Sequence, residues 1–154
     1  MKPIFKKGDI FKGDEYFKVH QVNCMGAMGA GIAKQVRTKY PKVYIKYVKA
    51  CNTNEKKSLL GKIQVVDTGC DFSIINLFGQ YDYNAKNGRN TDYEAFYCGL
   101  EKIRDYVLKC DEPKEVAFPY RIASALAGGD WNVILSMIES VFNDTDIKVS
   151  IYEL

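Results

Sequence analysis

Two short stretches of the chain combine small residues with the start of a helix, the place where a backbone can hold an anion. In "NCMGAMGAGIA" (23–33), Gly26, Ala27, Gly29 and Gly31 follow an apolar strand and lead directly into a helical pattern; "SALAGGDW" (124–131) again joins a strand to a helix start. Free N–H groups at a helix N-terminus, with its partial positive charge, attract anions, and glycine lets phosphate oxygens approach without a Cβ in the way. Either loop alone is explained by a tight turn. Two of them at the same kind of junction suit a diphosphate. Neither contains G-x-G-x-x-G or G-x-x-x-x-G-K-[ST], which disfavours a dinucleotide fold of the Rossmann type and a P-loop NTPase.

Other chemistries are limited by count and spacing. His20 is the single histidine of the chain, so a Ser-His-Asp triad has no base near Ser124. Four residues separate His20 from Cys24, which on a strand puts them about 13 Å apart at roughly 3.3 Å per residue, too far for a Cys–His pair. His20 is expected as a core or edge residue. The five cysteines have no C-x-x-C spacing and one histidine cannot complete a common zinc set, so they read as reduced thiols and no metal or other cofactor is expected.

The elements that must position the two loops alternate between strand and helix. "YFKVHQV" (16–22) reads as a strand running into the first loop, and a helix follows over 31–39. Pro41 restarts a helix at its first turn. Val43, Tyr44, Tyr47, Val48 and Cys51 form its apolar stripe, with Lys42, Lys46 and Lys49 off it as a solvated face. "KIQVVD" (62–67) and "FSIINLFGQ" (72–80) are strands separated by "TGCD", the turn chemistry of a hairpin or a tight loop. "TDYE" (91–94) has the form of a capping box, with Tyr93, Phe96, Tyr97, Leu100, Ile103 and Val107 following at helical spacing. "EVAFP" (115–119) reads as a buried strand, Asp130 as the N-cap of a helix with Ile134, Leu135, Ile138, Val141 and Phe142 inward, and "IKVSIYEL" as a closing strand. This order predicts a three-layer α/β/α sandwich around a central mixed, largely parallel sheet.

With 154 residues, 47% of them apolar, and no repeat or linker, residues 1–154 are expected to form one domain. No signal-peptide pattern and no long uncharged apolar run is present, which leads to the expectation of a soluble, cytoplasmic protein and a monomer. A net charge of +3 fits a small anionic ligand as well as a polymer, so nucleic acid is expected only as a modified substrate; an RNA-binding surface on the lysine-rich helix at 42–57 ranks below the other readings.

"KGDIF" (7–11), "QVNCMGAMGAGIAKQVRTKYP" (21–41), "INLFGQ" (75–80), "LAGGDW" (126–131) and the terminal "IYEL" resemble, in order and over practically the whole chain, the macrodomains, which bind ADP-ribose and its derivatives. The branch they are most similar to contains ADP-ribose-1″-phosphate phosphatases and enzymes that remove ADP-ribose from carboxylates or nucleobases. The resemblance implies that Asp9 accepts from the adenine amino group and that Ile10 lines the adenine slot. It implies that Asn23, Gly29, Ala30, Gly31 and Ile32 hold the distal ribose and one phosphate. By the same resemblance, Ser124, Ala125, Leu126, Ala127, Gly128, Gly129 and Asp130 form the second phosphate loop, and Tyr152 contacts the adenine region. In de-ADP-ribosylating members a lysine just beyond the N-L-x-x-Q strand end can attack the anomeric carbon; that position is Tyr81 here, and the nearest lysine is Lys86. Some members use an acidic residue in the second loop; Ala127 is not acidic, which leaves Asp130 as the candidate base. The expected function is binding of ADP-ribose or a derivative, free or attached to a macromolecule, with hydrolysis of a 1″-phosphate or an ADP-ribosyl linkage. The alternative is a non-catalytic ADP-ribose-binding module.

Overall fold

In a computed structural model, residues 2–84 and 88–154 are described. Six strands, β1 (Ile4–Lys7), β2 (Phe17–Val22), β3 (Ile63–Asp67), β4 (Ser73–Phe78), β5 (Glu115–Pro119) and β6 (Lys148–Glu153), form one sheet in the order β1-β6-β5-β2-β4-β3. Every neighbouring pair is parallel except β3 with β4, which form an antiparallel hairpin across "TGCD". The helices are α1 (Gly31–Lys39), α2 (Pro41–Thr53), α3 (Lys56–Leu59), α4 (Tyr93–Lys109) and α5 (Trp131–Phe142). No helix among the described residues is long and apolar enough to cross a membrane.

Strand alternation sorts the core into two layers. Phe17 and Val19 of β2, with Ile75 and Leu77 of β4, pack under Phe96, Leu100 and Ile103 of α4 and Ile134 and Ile138 of α5. Val22, Ile74 and Phe78, on the other face, meet Val36 of α1 and Val43, Tyr47 and Cys51 of α2. The sheet is thus covered on both sides, the arrangement expected of a three-layer sandwich.

Polar residues also point into the α1–α2 layer from β2. His20 stands opposite Asn76 in the strand register, and its Nε2 lies 2.6 Å from Asn76 Oδ1. Asn76 Nδ2 donates to Gln64 Oε1 at 2.9 Å, so Asn76 Oδ1 is the acceptor and Nε2 of His20 carries the proton. His20 Nδ1 then has no partner among the described residues, and burial drives the imidazole pKa from 6.5 down to about 4 despite the Asn76 bond. His20 is a neutral core residue.

The helix read over 42–57 ends at Thr53 and is followed by the separate short α3, and a 3-10 helix at Ile10–Lys12 and two further elements also differ from the sequence reading. The capping box at 91–94 does not form: Asp92 is the N-cap of α4, accepting from the Ala95 N–H at 3.0 Å, and Thr91 Oγ1 instead donates to the Ala123 carbonyl at 2.6 Å. An aspartate one residue later takes the capping position, and Thr91, almost fully buried, ties the α4 start to the second loop. β1 carried no strand signal, because all four of its residues are exposed at the sheet edge and give no alternation.

Candidate ligand-binding site

The cleft exists because two central strands part. β2 pairs with β4 over all six residues, but with β5 only at Phe17 and Lys18, opposite Val116 and Ala117. Toward their carboxyl ends β2 and β5 separate. The chain order also reverses there, since β4 and β3 follow on one side of β2 and β5 and β6 on the other. Ligands of open α/β sheets lie at such a switch point, beyond the carboxyl ends of the strands. Here the parting opens into a cleft of about 750 Å³.

The first loop supplies one wall. Ala27, Gly29, Ala30 and the first turn of α1, Gly31 to Ala33, line the cleft. Ala30 at the N-cap offers no side-chain bond, so the amides of that turn stay open, whereas Asp92 and Asp130 cap α4 and α5. Gly31 sits at φ +59°, and a Cβ there would stand 3.6 Å from Leu126 Cδ1 of the opposite wall. Asn23 also lines the cleft but spends its side chain on the loop: Oδ1 accepts from Met25 N–H at 2.9 Å and Ala27 N–H at 3.4 Å, and Nδ2 donates to the Ala27 carbonyl at 2.9 Å. The Tyr47 hydroxyl, fully buried on α2, lies 2.6 Å from the Asn23 carbonyl and 2.8 Å from its Oδ1, and donates its one proton between them. Burial raises the Tyr47 pKa, which keeps that proton in place. α2 therefore clamps the first loop from behind.

The second loop supplies the facing wall. Ala125, Leu126 and Ala127 line it, and the N–H groups of Leu126, Ala127 and Gly128 have no partner among the described residues. The Ala127 carbonyl accepts from Asn90 N–H at 2.8 Å and Thr91 N–H at 3.2 Å, strapping this loop to the segment that follows β4. Gly128 lies against that strap, where a Cβ would run into the Gly88 carbonyl. Ser124 is buried, its hydroxyl donating to the Ile122 carbonyl at 3.3 Å. Gly129 and Asp130 also lie off the cleft lining; the Asp130 carboxylate accepts from Asn132 N–H at 2.9 Å as the cap of α5. The structure thus places the expected base, Asp130, at the start of α5 and off the described cleft lining. The second loop presents its own amides rather than the α5 terminus.

The expected base-binding residues stand apart from the main cleft. Asp9 Oδ1 accepts from Phe11 N–H at 2.9 Å as the cap of a short 3-10 helix, and Oδ2 lies 4.0 Å from Lys39 Nζ. Ile10 packs with Ala117 and Tyr152, and Ile32 touches both this cluster and the cleft. Tyr152 is 9% exposed and donates to Glu15 Oε1 at 2.7 Å. Burial pushes the Glu15 carboxyl up, but hydrogen bonds from Lys6, Tyr152 and Ser150 outweigh it and bring its pKa to about 2. Tyr152 is thus held in an ionic network beside the slot that Ile10 and Ile32 share.

Several lining residues were not assigned to the site from the sequence, although Gln21 and Gln80 fall within "QVNCMG" and "INLFGQ". Gln21, Gln80, Tyr83, Asn90, Tyr120 and Arg121 enter the cleft from three different strand ends. Arg121 is the one charged residue among the described lining residues, and it adopts φ +63°, as Ala123 adopts φ +64°. Left-handed backbone at two non-glycine residues of one cleft wall marks a loop whose shape is imposed from outside. Tyr81, at the position of the implied lysine, packs into the α2 layer under Lys57, whereas Tyr83 lines the cleft. Lys86 lies outside the described residues. Cys24 is buried beside the first loop, and burial raises its thiol pKa to about 11, so it is no nucleophile.

A family model, the Macro domain, matches residues 19–137. The chain belongs to the macro domain family. Over 65 residues this macro domain is 43% identical to the DNA ADP-ribosyl glycohydrolase of Mycobacterium tuberculosis, an alignment that covers 42% of the chain and 18% of that longer protein. It is 29% identical over 157 residues to the human ADP-ribose glycohydrolase OARD1, covering 97% of the chain and 90% of the relative. The macrodomain of Mycobacterium tuberculosis DarG superposes with a TM-score of 0.82 at 29% identity, covering 98% of this macro domain and 97% of that one.

Proposed function

We propose that this macro domain binds ADP-ribose with its pyrophosphate between the first and second loops and hydrolyses an ADP-ribosyl linkage whose target end protrudes from the cleft. The observation that carries this reading is the pair of facing walls with unpartnered amides, Gly31 to Ala33 on one side and Leu126 and Ala127 on the other, with Arg121 as a nearby cation. Backbone donors held rigidly around a charged group stabilise it without reorganisation, and they serve a developing charge in a transition state in the same way. The names of the two relatives, both glycohydrolases, support cleavage of a glycosidic bond.

One observation favours a second reading. Among the described lining residues there is no Asp, Glu, Lys, His or Cys, and the phenols of Tyr83 and Tyr120 are the only described side chains of a type that serves as base or nucleophile. A binding module without turnover fits that lining. Lys86 stands in sequence between Tyr83 and Asn90, which both line the cleft, and is the candidate amine nucleophile. Purified protein incubated with ADP-ribosylated DNA, ADP-ribosylated glutamate protein and ADP-ribose-1″-phosphate separates these cases. Chromatography is expected to show free ADP-ribose from one of the first two. Binding without product from any of the three would establish the module, phosphate release from the third alone a phosphatase, and full turnover by Lys86→Ala would remove the amine.

A further inference from the structure

The net charge of +3 conceals an uneven distribution. No Asp or Glu occurs anywhere from residue 16 to residue 54, a stretch that contains α1 and α2 entire. Those two helices carry Lys34, Arg37, Lys39, Lys42, Lys46 and Lys49, all of them exposed. Across the sheet, α4 and α5 mix Glu94, Glu101, Asp105 and Glu139 with Lys102, Arg104 and Lys109. One layer is basic throughout and the other is not.

Within the basic layer little is neutralised. Lys39 lies 4.0 Å from Asp9, and this is the only ion pair that α1 or α2 makes among the described residues. Arg37 stacks over the Tyr44 ring at 4.9 Å, which joins the charge of α1 to the surface of α2. Lys42, Lys46 and Lys49 recur at i, i+4 and i+7, a single stripe turned away from buried Val43, Tyr47 and Cys51. Like charges so arranged repel one another and oppose folding, while solvation is served equally well by mixed signs. A solvated face does not need this pattern.

The layer also adjoins the cleft, since Gly31 to Ala33 line it and Lys34 is the next residue of α1. Its chemistry selects among polyanions. Membrane-surface helices set apolar side chains beside their cations, and protein interfaces have an apolar or aromatic centre. On α1 and α2 the one large apolar side chain that is exposed is Ile45. Ile45 lies within the lysine stripe but stands alone there, and spaced point charges around a single apolar side chain suit repeating phosphates. We propose that the α1–α2 face binds the phosphate backbone of a nucleic-acid strand and leads an attached ADP-ribosyl group into the cleft. The second half of this statement rests on the ADP-ribose reading of the cleft; the first does not.

Fluorescence anisotropy of a labelled short single-stranded DNA, with the parent and with Lys42→Glu/Lys46→Glu/Lys49→Glu, tests it. The parent is expected to bind, with log affinity falling against log salt at a slope of about −2 to −3 for three or four neutralised phosphates. The triple variant should lose at least about tenfold in affinity while its ADP-ribose binding by calorimetry is unchanged, which shows that it is folded. Arg104→Glu/Lys109→Glu, on α4 across the sheet, should keep DNA binding. No binding by the parent at low salt, equal binding by the triple variant, or equally tight binding of polyglutamate or of anionic phospholipid vesicles would overturn the proposal. A parent that binds DNA but not ADP-ribose would leave this face standing and overturn the reading of the cleft.

Discussion

Arg121 shows how much of the site is decided by a single backbone conformation. A side chain other than glycine in the left-handed region costs about 1–2 kcal/mol, yet Arg121 holds φ +63° with its side chain on the cleft wall. Arg121→Gly should therefore act in two opposite directions. Even after the extra unfolded-state freedom of glycine, the urea midpoint should rise by the equivalent of about 0.5 kcal/mol, while loss of the cation should weaken ADP-ribose binding about tenfold, the size of one charge-assisted hydrogen bond. A less stable variant would contradict the strain at this residue, and one that binds as tightly as the parent would contradict its role as the cation of the cleft. Nothing in "PYRIAS" announces this, because φ is set by bonds such as Gly129 N–H to the Ala123 carbonyl at 2.9 Å, made within the folded loop. Asp130 lies at the opposite extreme. An aspartate before an apolar helical stripe is a local signal, and it caps α5 as read. What its sequence position did not reveal is that the cap stands off the cleft lining.

At the scale of elements, α2 and β2 govern the first loop from behind. Tyr47→Phe deletes one hydroxyl and nothing else. It should lower stability by about 1–2 kcal/mol through the lost buried hydrogen bond and weaken ADP-ribose binding by about tenfold, while AMP, which has no distal ribose or second phosphate, binds as before. If both ligands weaken alike, Tyr47 supports the fold and not the loop. β2 makes a second prediction through His20. Its folded pKa of about 4 lies below the ordinary 6.5, so in between the unfolded chain takes up a proton that the folded chain refuses. Stability is then fully present above about pH 6.5 and falls as the pH drops toward 4, by about 3 kcal/mol in all. Below about pH 4.5 Glu15 adds to the loss, because its folded pKa is near 2. Urea midpoints measured across this range should slope in the parent and lie flat above pH 4.5 in His20→Gln; parallel slopes would place the titrating group elsewhere. The elements themselves were largely legible, since β2, β4, α4 and α5 carry strong apolar periods, whereas the edge strand β1 carries none.

For the whole molecule, the governing feature is the parting of β2 from β5 after two paired residues. The glycine-rich loops stood out in the sequence because a helix start and a missing Cβ are local properties, although at the second loop the open amides precede the capped α5 start. Which walls they form was not readable. Leu126 approaching Gly31, and Gln80, Tyr83 and Asn90 joining from the β4 end, depend on a strand order of β5-β2-β4 that no single segment encodes. The charge division between the helix layers is likewise a property of the assembled sheet. All of these features converge on one occupant of one cleft, so a crystal structure of the protein with ADP-ribose is the most direct measurement. The account predicts a pyrophosphate bridging the amides of Gly31–Ala33 and of Leu126 and Ala127, with Arg121 within hydrogen-bonding distance and the distal ribose beside Asn23. A ligand seated elsewhere, or a pyrophosphate that touches only one of the two loops, would contradict it.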